Sequence, residues 1–387
     1  MFTFLRRARK SMALAAAGLS ILALAACEPV ATAGGGAPSG AAVEVALLVP
    51  SGSGDASDEL LARSLENAAR MAISDLGGVQ IDLRIYPTAA SPAQAASAAQ
   101  QAIAEGAKII VGPLRAEEAN AAGVAVAASG VNVLSFSNNP AIAGGNVFVL
   151  GPTFENSARR LAGYAVRSGK GRVMVVSDQN TGGEAGRDAI LRGVAAAGGS
   201  VVAQGSYEFS QNGIIQAIPG IAEQAKSSGA QAVFLTADAA GALPLVSQLL
   251  SENGVSPTTY QYIGLTRWDI PAATLALPGV QGGWFAIPDP ALYAQYQNRY
   301  AAAFGQPPHP VSAVAYDAIA AIGALAKKGS GFDRAALTQG AGFAGVNGVF
   351  RLRPDGTNER GLAVAQIQSG SVVVIDPAPR SFGGAGF

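Results

Sequence analysis

The chain has 387 residues, with 26 Lys or Arg balanced by 26 Asp or Glu, so it carries no net charge and only 13% charged residues. A charge content well below the roughly 25% of an average globular protein, with no basic block, disfavours nucleic acid as a partner. At this length two lobes are the default expectation, and the 49 glycines punctuate periodic segments in the manner of an ordered α/β protein.

The N-terminus carries a specific signal. Arg6, Arg7, Arg9 and Lys10 form a positive region, and Met12–Ala23 is an apolar stretch too short to span a bilayer as a mature helix. It runs into Leu24-Ala25-Ala26-Cys27, which matches the bacterial lipobox, so residues 1–26 read as a lipoprotein signal peptide and Cys27 as the lipidation site. Cys27 is the only cysteine and cannot form an internal disulfide. Several acyl chains, at about 0.8 kcal/mol per buried CH₂, anchor stably where one does not. Glu28, in place of the Asp that retains lipoproteins at the inner membrane in enteric bacteria, favours the outer membrane. Residues 27–42, rich in Gly, Pro and Ala, read as a flexible tether. No later stretch reads as a membrane span.

From Val43 onward apolar runs alternate with helical patterns. Val43–Val49 is a strand, Asp58–Leu76 a helix by the spacing of Leu61, Leu65, Ala68, Ala72 and Ile73, Ile81–Tyr86 a strand, and Ser91–Gly106 a helix. Lys108–Val111, Glu117–Ser129 and Val131–Phe136 form a strand, helix, strand unit, which implies a parallel sheet. After a crossover near Gly151 the rhythm repeats. Strands are expected at Arg172–Ser177, Ser200–Phe209, Ala232–Leu235, Gln261–Leu265 and Gly282–Ile287. Between them lie helices at Glu155–Ser168, Glu184–Ala197, Ile214–Ser227 and Ala239–Asn253, the last interrupted near Pro244. Ala291–Phe304 is helical with a Tyr293, Tyr296, Tyr300, Phe304 stripe that reads as core-facing, and Val311–Leu325 is a buried Ala-rich helix. Gly348–Arg353 and Gly361–Ile367 read as two paired strands.

A strand into Val-Gly-Pro at 111–113, an Ala-rich helix and a strand into Ser-Phe-Ser at 135–137 resemble the N-terminal lobe of type I periplasmic binding proteins. So do the Tyr-rich helix, proline turn and Tyr-Asp helix of Tyr293–Ile319 and the closing segment Gly345–Ile367. The resemblance implies two Rossmann-like, doubly wound α/β lobes joined by a three-stranded hinge, with crossovers near Gly151, Pro288 and Gly342. Residues 43–150 plus 288–340 then form the first lobe, 153–286 plus 345–376 the second, and 377–387 a flexible tail.

Little supports enzyme chemistry. One His and one Cys leave a zinc site or a His-based triad without ligands. Gly163–Gly171 echoes a phosphate loop with the wrong spacing, and Thr181 stands where a dinucleotide fingerprint needs its first glycine. No cofactor and no metal are expected. In parallel sheets ligands sit beyond the carboxyl ends of the strands. The candidate cleft residues are therefore Ser51, Ser53, Arg115, Ser135, Ser137 and Asn138 from the first lobe. Asp178, Asn180, Thr181, Asp238, Arg267, Trp268 and Asp269 come from the second, with Trp268 offering an aromatic face to a ligand.

Compared with amino-acid receptors of the superfamily, this pocket is only partly kept. Leu114-Arg115-Ala116 replaces a hydroxyl residue after the Gly-Pro, and Asp269 is the only acid where the ligand ammonium partner is expected. Arg267-Trp268-Asp269 looks instead like the penicillin-binding-protein activator lipoproteins, which implies activation of a peptidoglycan synthase. The alternative is a lipid-anchored binding protein that delivers an amino acid or another small polar solute to an ABC permease.

Overall fold

The structure, a computed structural model, describes residues 42–382; the signal peptide, Cys27 and most of the tether, and residues 383–387, lie outside the described residues. The first sheet is built from β1 (Val43–Val49), β2 (Ile81–Pro87), β3 (Ile109–Val111), β4 (Val133–Ser135) and β5 (Val147–Val149). Its order is β2-β1-β3-β4-β5, parallel throughout. β1 is almost wholly buried because α1 (Ala56–Asp75) covers one face while α2 (Pro92–Ala104) and α3 (Ala116–Val126) cover the other. A strand buried on both faces needs a continuous apolar run, which VEVALLV supplies. The small side chains of Ala95, Ala98, Ala99, Ala119 and Ala122, all buried, allow close packing between α2, α3 and the sheet.

The second lobe repeats the pattern. It comprises α4 (Phe154–Arg167), β6 (Arg172–Asp178), α5 (Thr181–Ala196), β7 (Ser200–Tyr207), α6 (Gln211–Ser227) and β8 (Ala232–Leu235). α7 (Leu243–Glu252), β9 (Gln261–Gly264) and β10 (Trp284–Ile287) follow. α7 starts at Leu243 and not at Ala239, because Pro244 has no N–H to give a preceding turn and fits the first turn instead. α5 starts at Thr181, capped by the Asn180 side chain, and so begins before the expected Glu184.

The chain then returns to the first lobe as α8 (Pro290–Phe304) and α9 (Ala313–Lys327). α9 packs on α1, and Tyr296 and Tyr300 of α8 are buried in the first core, as the stripe predicts. Pro310–Lys327 is long and apolar enough to span a bilayer, contrary to the expectation that no late segment is, but its apolar residues lie in that core.

The closing segment departs from expectation. β11 (Phe343–Gly345), β12 (Gly348–Leu352) and β13 (Asn358–Arg360) form a small antiparallel sheet. β14 (Ala363–Gln368) and β15 (Ser371–Asp376) then join the second sheet, in the order β15-β14-β10-β9-β8-β6-β7, with β14 antiparallel to β10. Gly348–Leu352 therefore pairs with β11 and β13, and not with the strand after Gly361. Phe343, Val346, Phe350 and Leu352 belong to the first core, so the third passage between lobes follows Arg360 and does not fall near Gly342. The segment after β15 is tied down rather than loose as far as residue 382, with the Pro377 carbonyl accepting from Arg160 and Phe382 under the Arg351 guanidinium.

Candidate functional site: the interlobe cavity

A cavity of about 590 Å³ lies between the lobes. The first lobe contributes the loop from β3 into α3 and the loop after β4; the second contributes the start of α4 and the loop after β9. Pro152, Pro288, Asn347 and Arg360, from the passages between lobes, also line it. Gly112 makes the first of these loops possible. It has φ +85°, and a Cβ on it would stand 2.3 Å from the Leu48 carbonyl oxygen, so no other residue could turn there so close to β1.

The passages themselves are bound together by buried polar side chains. Asn358 donates to the Val149 and Gly151 carbonyls at 2.8 Å each. Arg360 donates from Nε to the Leu150 carbonyl at 3.1 Å and from Nη1 to Asp317 Oδ2 at 3.0 Å, beneath which lies the Phe350 ring. Asp317 also accepts from the Asn347 side chain at 2.9 Å. β13 is thus the seam on which the two lobes meet, and Arg360 reaches from it to the cavity wall.

Of the residues expected in the cleft, Arg115, Ser137, Asn138 and Arg267 line this cavity. Arg115 is held by Asp58 at 2.6 Å and Glu118 at 3.3 Å, which fixes the start of α3 against α1. Arg267 forms a two-point ion pair with Asp269, with Nε to Oδ1 at 2.9 Å. Ser137 is buried, and its Oγ accepts from the Asn139 N–H at 3.2 Å. The Asn138 side chain is exposed and makes no hydrogen bond among the described residues.

The other expected residues lie elsewhere. Trp268 is fully buried in the second core, with its indole over Gly264 and Gly283, so it presents no face to a ligand. Ser135 is fully buried and donates to the Pro113 carbonyl at 3.0 Å, bracing the cavity loop from behind. Ser53 accepts from the Asp55 N–H within its own turn, and Asn180 caps α5. Asp178 is buried and bonded to the Tyr207 hydroxyl. Burial raises its carboxyl above the ordinary range, against the lowering effect of that bond, and the nearby Asp238 raises it further. Ser51, Thr181, Asp238 and Asp269 are not lining residues either.

Several wall residues were not expected in the cleft, among them Tyr293, which the stripe reading sets in the core. Thr266 Oγ1 is buried without a hydrogen-bond partner, and the Ser157 hydroxyl and Tyr293 phenol make no side-chain bond among the described residues. Burial raises the Tyr293 phenol above its ordinary value, so at neutral pH it is a neutral donor. Phe136, Leu265, Val311, Val314 and Leu362 supply apolar wall. An apolar cavity with a few convergent polar atoms is the usual make-up of a small-molecule site. Among the described residues no group of Cys, His, Asp and Glu could hold a metal ion.

The comparisons agree with this fold. A family model described as periplasmic binding protein matches residues 42–371. No curated protein matches the sequence. A Rhodospirillum rubrum protein named for branched-chain amino acid ABC transport superposes with a TM-score of 0.73 at 19% identity, over 87% of this chain and 100% of that one. An ABC transporter substrate-binding protein from Desulfitobacterium hafniense, in complex with Leu, gives 0.62 at 19% identity over 87% and 100%. An ABC transporter solute-binding protein from R. palustris, in complex with benzoate, gives 0.57 at 17% over 89% and 99%. The chain belongs to the periplasmic binding protein family.

Proposed function

We propose that this chain is the solute-binding component of an ABC-type transport system, and that its interlobe cavity takes one small solute with an apolar body. The observation that carries the reading is the cavity itself. At about 590 Å³ it falls in the usual range for small-molecule sites, and both lobes supply its walls. The neighbours named above, one with Leu and one with benzoate, support a ligand of this size.

The family name sets the protein in the periplasm. Cys27, outside the described residues, carries the lipid anchor in this reading, and delivery to a permease places it at the inner membrane in place of the outer membrane that Glu28 suggests. The comparisons favour this reading over activation of a peptidoglycan synthase. The Arg267-Trp268-Asp269 triplet that suggests an activator consists, in the fold, of a core tryptophan flanked by an ion pair. Calorimetric titration of the purified mature chain with L-amino acids and small carboxylic acids tests the proposal. Saturable one-to-one binding supports it, and no binding by any member of the panel counts against it.

A further inference from the structure

The chain does not stop at the second lobe. β15 lies at the edge of the second sheet, and the segment Pro377-Ala378-Pro379-Arg380-Ser381-Phe382 that follows it runs back past the seam to the first lobe. Its near end is fixed to the second lobe by Arg160 of α4, a side chain only 4% exposed, which donates to Asp376 Oδ2 at 2.9 Å and to the Pro377 carbonyl at 3.1 Å. Its middle passes the seam at Gly361, where a Cβ would stand 3.0 Å from the Pro379 carbonyl oxygen. Its far end rests on the first lobe. The half-buried Phe382 ring lies under the Arg351 guanidinium of β12 at 4.5 Å and against Gly342, where a Cβ would meet the ring at 2.7 Å. Arg351 is itself a firm anchor, paired with the buried Glu359 at 2.6 Å. Glu359 in turn holds Arg159 of α4 at 2.6 Å on its other oxygen.

From this arrangement we propose that residues 377–382 act as a strap between the lobes, with Phe382 as its point of release, and that the strap holds the lobes at the separation at which both wall the cavity. The inference goes beyond the solute-binding reading and does not depend on it. Passages of a few residues between two lobes let them bend about the seam. A tie on one side of the seam resists that bending until one of its contacts breaks. Pro377 and Pro379 each fix a backbone angle, so the segment is stiff and transmits a pull instead of stretching to absorb it. Separation of the lobes on this side therefore pulls on both ends of the strap. Arg160 at one end is buried against a carboxylate and the carbonyls of Leu362, Asp376 and Pro377. An arginine over an aromatic ring near the surface is a much weaker contact than a buried, fully bonded guanidinium. The strap thus lets go at Phe382 and stays fixed at Arg160.

The distance between the lobes tests the strap without any ligand. In the mature chain carrying Cys27→Ser, the exposed Val124 of α3 and Ile215 of α6 are replaced as Val124→Cys and Ile215→Cys and spin-labelled. The distribution of interlobe distances is then read by double electron–electron resonance. It is compared among the full chain, Phe382→Ala, Phe382→Tyr and a chain ending at Pro379. The proposal expects one narrow distance in the full chain and in Phe382→Tyr, which keeps the ring under Arg351. It expects a displaced population at least about fivefold larger in Phe382→Ala and in the shortened chain, the ratio that one contact of this size supports. Should the shortened chain lose its circular dichroism, Phe382→Ala, which removes no backbone, decides alone. The same distribution in the full chain and in Phe382→Ala overturns the proposal, as does one already broad in the full chain. A lower melting temperature in Phe382→Ala with an unchanged distribution assigns the segment to packing alone and also overturns it.

Discussion

Asp317 is the carboxylate on which the interlobe seam depends most. Its side chain has no solvent exposure and its partner Arg360 has 3%. There is no room for water to replace it, since a Cβ on Gly345 would already stand 2.1 Å from Asp317 Oδ1. Asp317→Asn keeps the shape but leaves the Arg360 guanidinium buried without a counter-charge. Removing one partner of a buried pair costs about 3–5 kcal/mol, a large share of the roughly 5–15 kcal/mol that holds a typical protein folded. The melting temperature should drop by roughly 4–7 °C, read by circular dichroism or calorimetry of the mature chain. Arg360→Met should cost a similar amount, and the double variant much less than the sum, because residues in one buried network couple. A melting temperature for Asp317→Asn within a degree or two of wild type would show that Arg360 does not need this counter-charge.

Three further outcomes follow from the same structure. Gly264→Ala places a Cβ 2.2 Å from the Trp268 indole, an overpacking expected to cost about 1–3 kcal/mol in thermal unfolding and to be relieved when Trp268→Leu is added. Burial raises the Asp178 carboxyl, so its contribution to stability is full below the ordinary carboxylate value and is lost as the pH rises through its raised folded value. Asp178→Asn should therefore raise the melting temperature at pH 7 and give little gain near about pH 4; an equal gain at both would contradict this. Cys27→Ser should leave the chain unlipidated and outside the detergent phase on partitioning, and equal partitioning with wild type would remove the lipoprotein reading.

The fold was largely legible because its signals are local. β1 and β6 are apolar runs that a two-sided parallel sheet requires, and the helices between them carry caps at Asp55, Ser91 and Thr153 that mark their starts. β13 was not legible. Asn358, Glu359 and Arg360 are all buried, in a three-residue strand with no apolar residue; bonds of Asn358 and Arg360 to the first passage and to Asp317, and ion pairs of Glu359 with Arg159 and Arg351, explain this. The site was legible by strand end but not by contact. Sequence places Ser53, Asn180 and Arg267 alike after strands, whereas the packing of one lobe on the other decides which loops share a cavity. Trp268 misled because a large aromatic in a polar loop invites a ligand. The clue lay in Gly264 and Gly283, which leave the space that its ring fills.

Blocking the cavity between the lobes separates a solute site there from a site anywhere else on the chain. Ser157 lines the cavity from the first turn of α4 with a side chain that makes no hydrogen bond among the described residues. Ser157→Trp fills the space without removing a contact that holds the fold. Titration of the unblocked chain with the solute it binds should give saturable one-to-one binding, and the blocked chain should melt at the wild-type temperature in the absence of solute yet give no heat on titration. Undiminished binding by a folded Ser157→Trp chain would contradict the account.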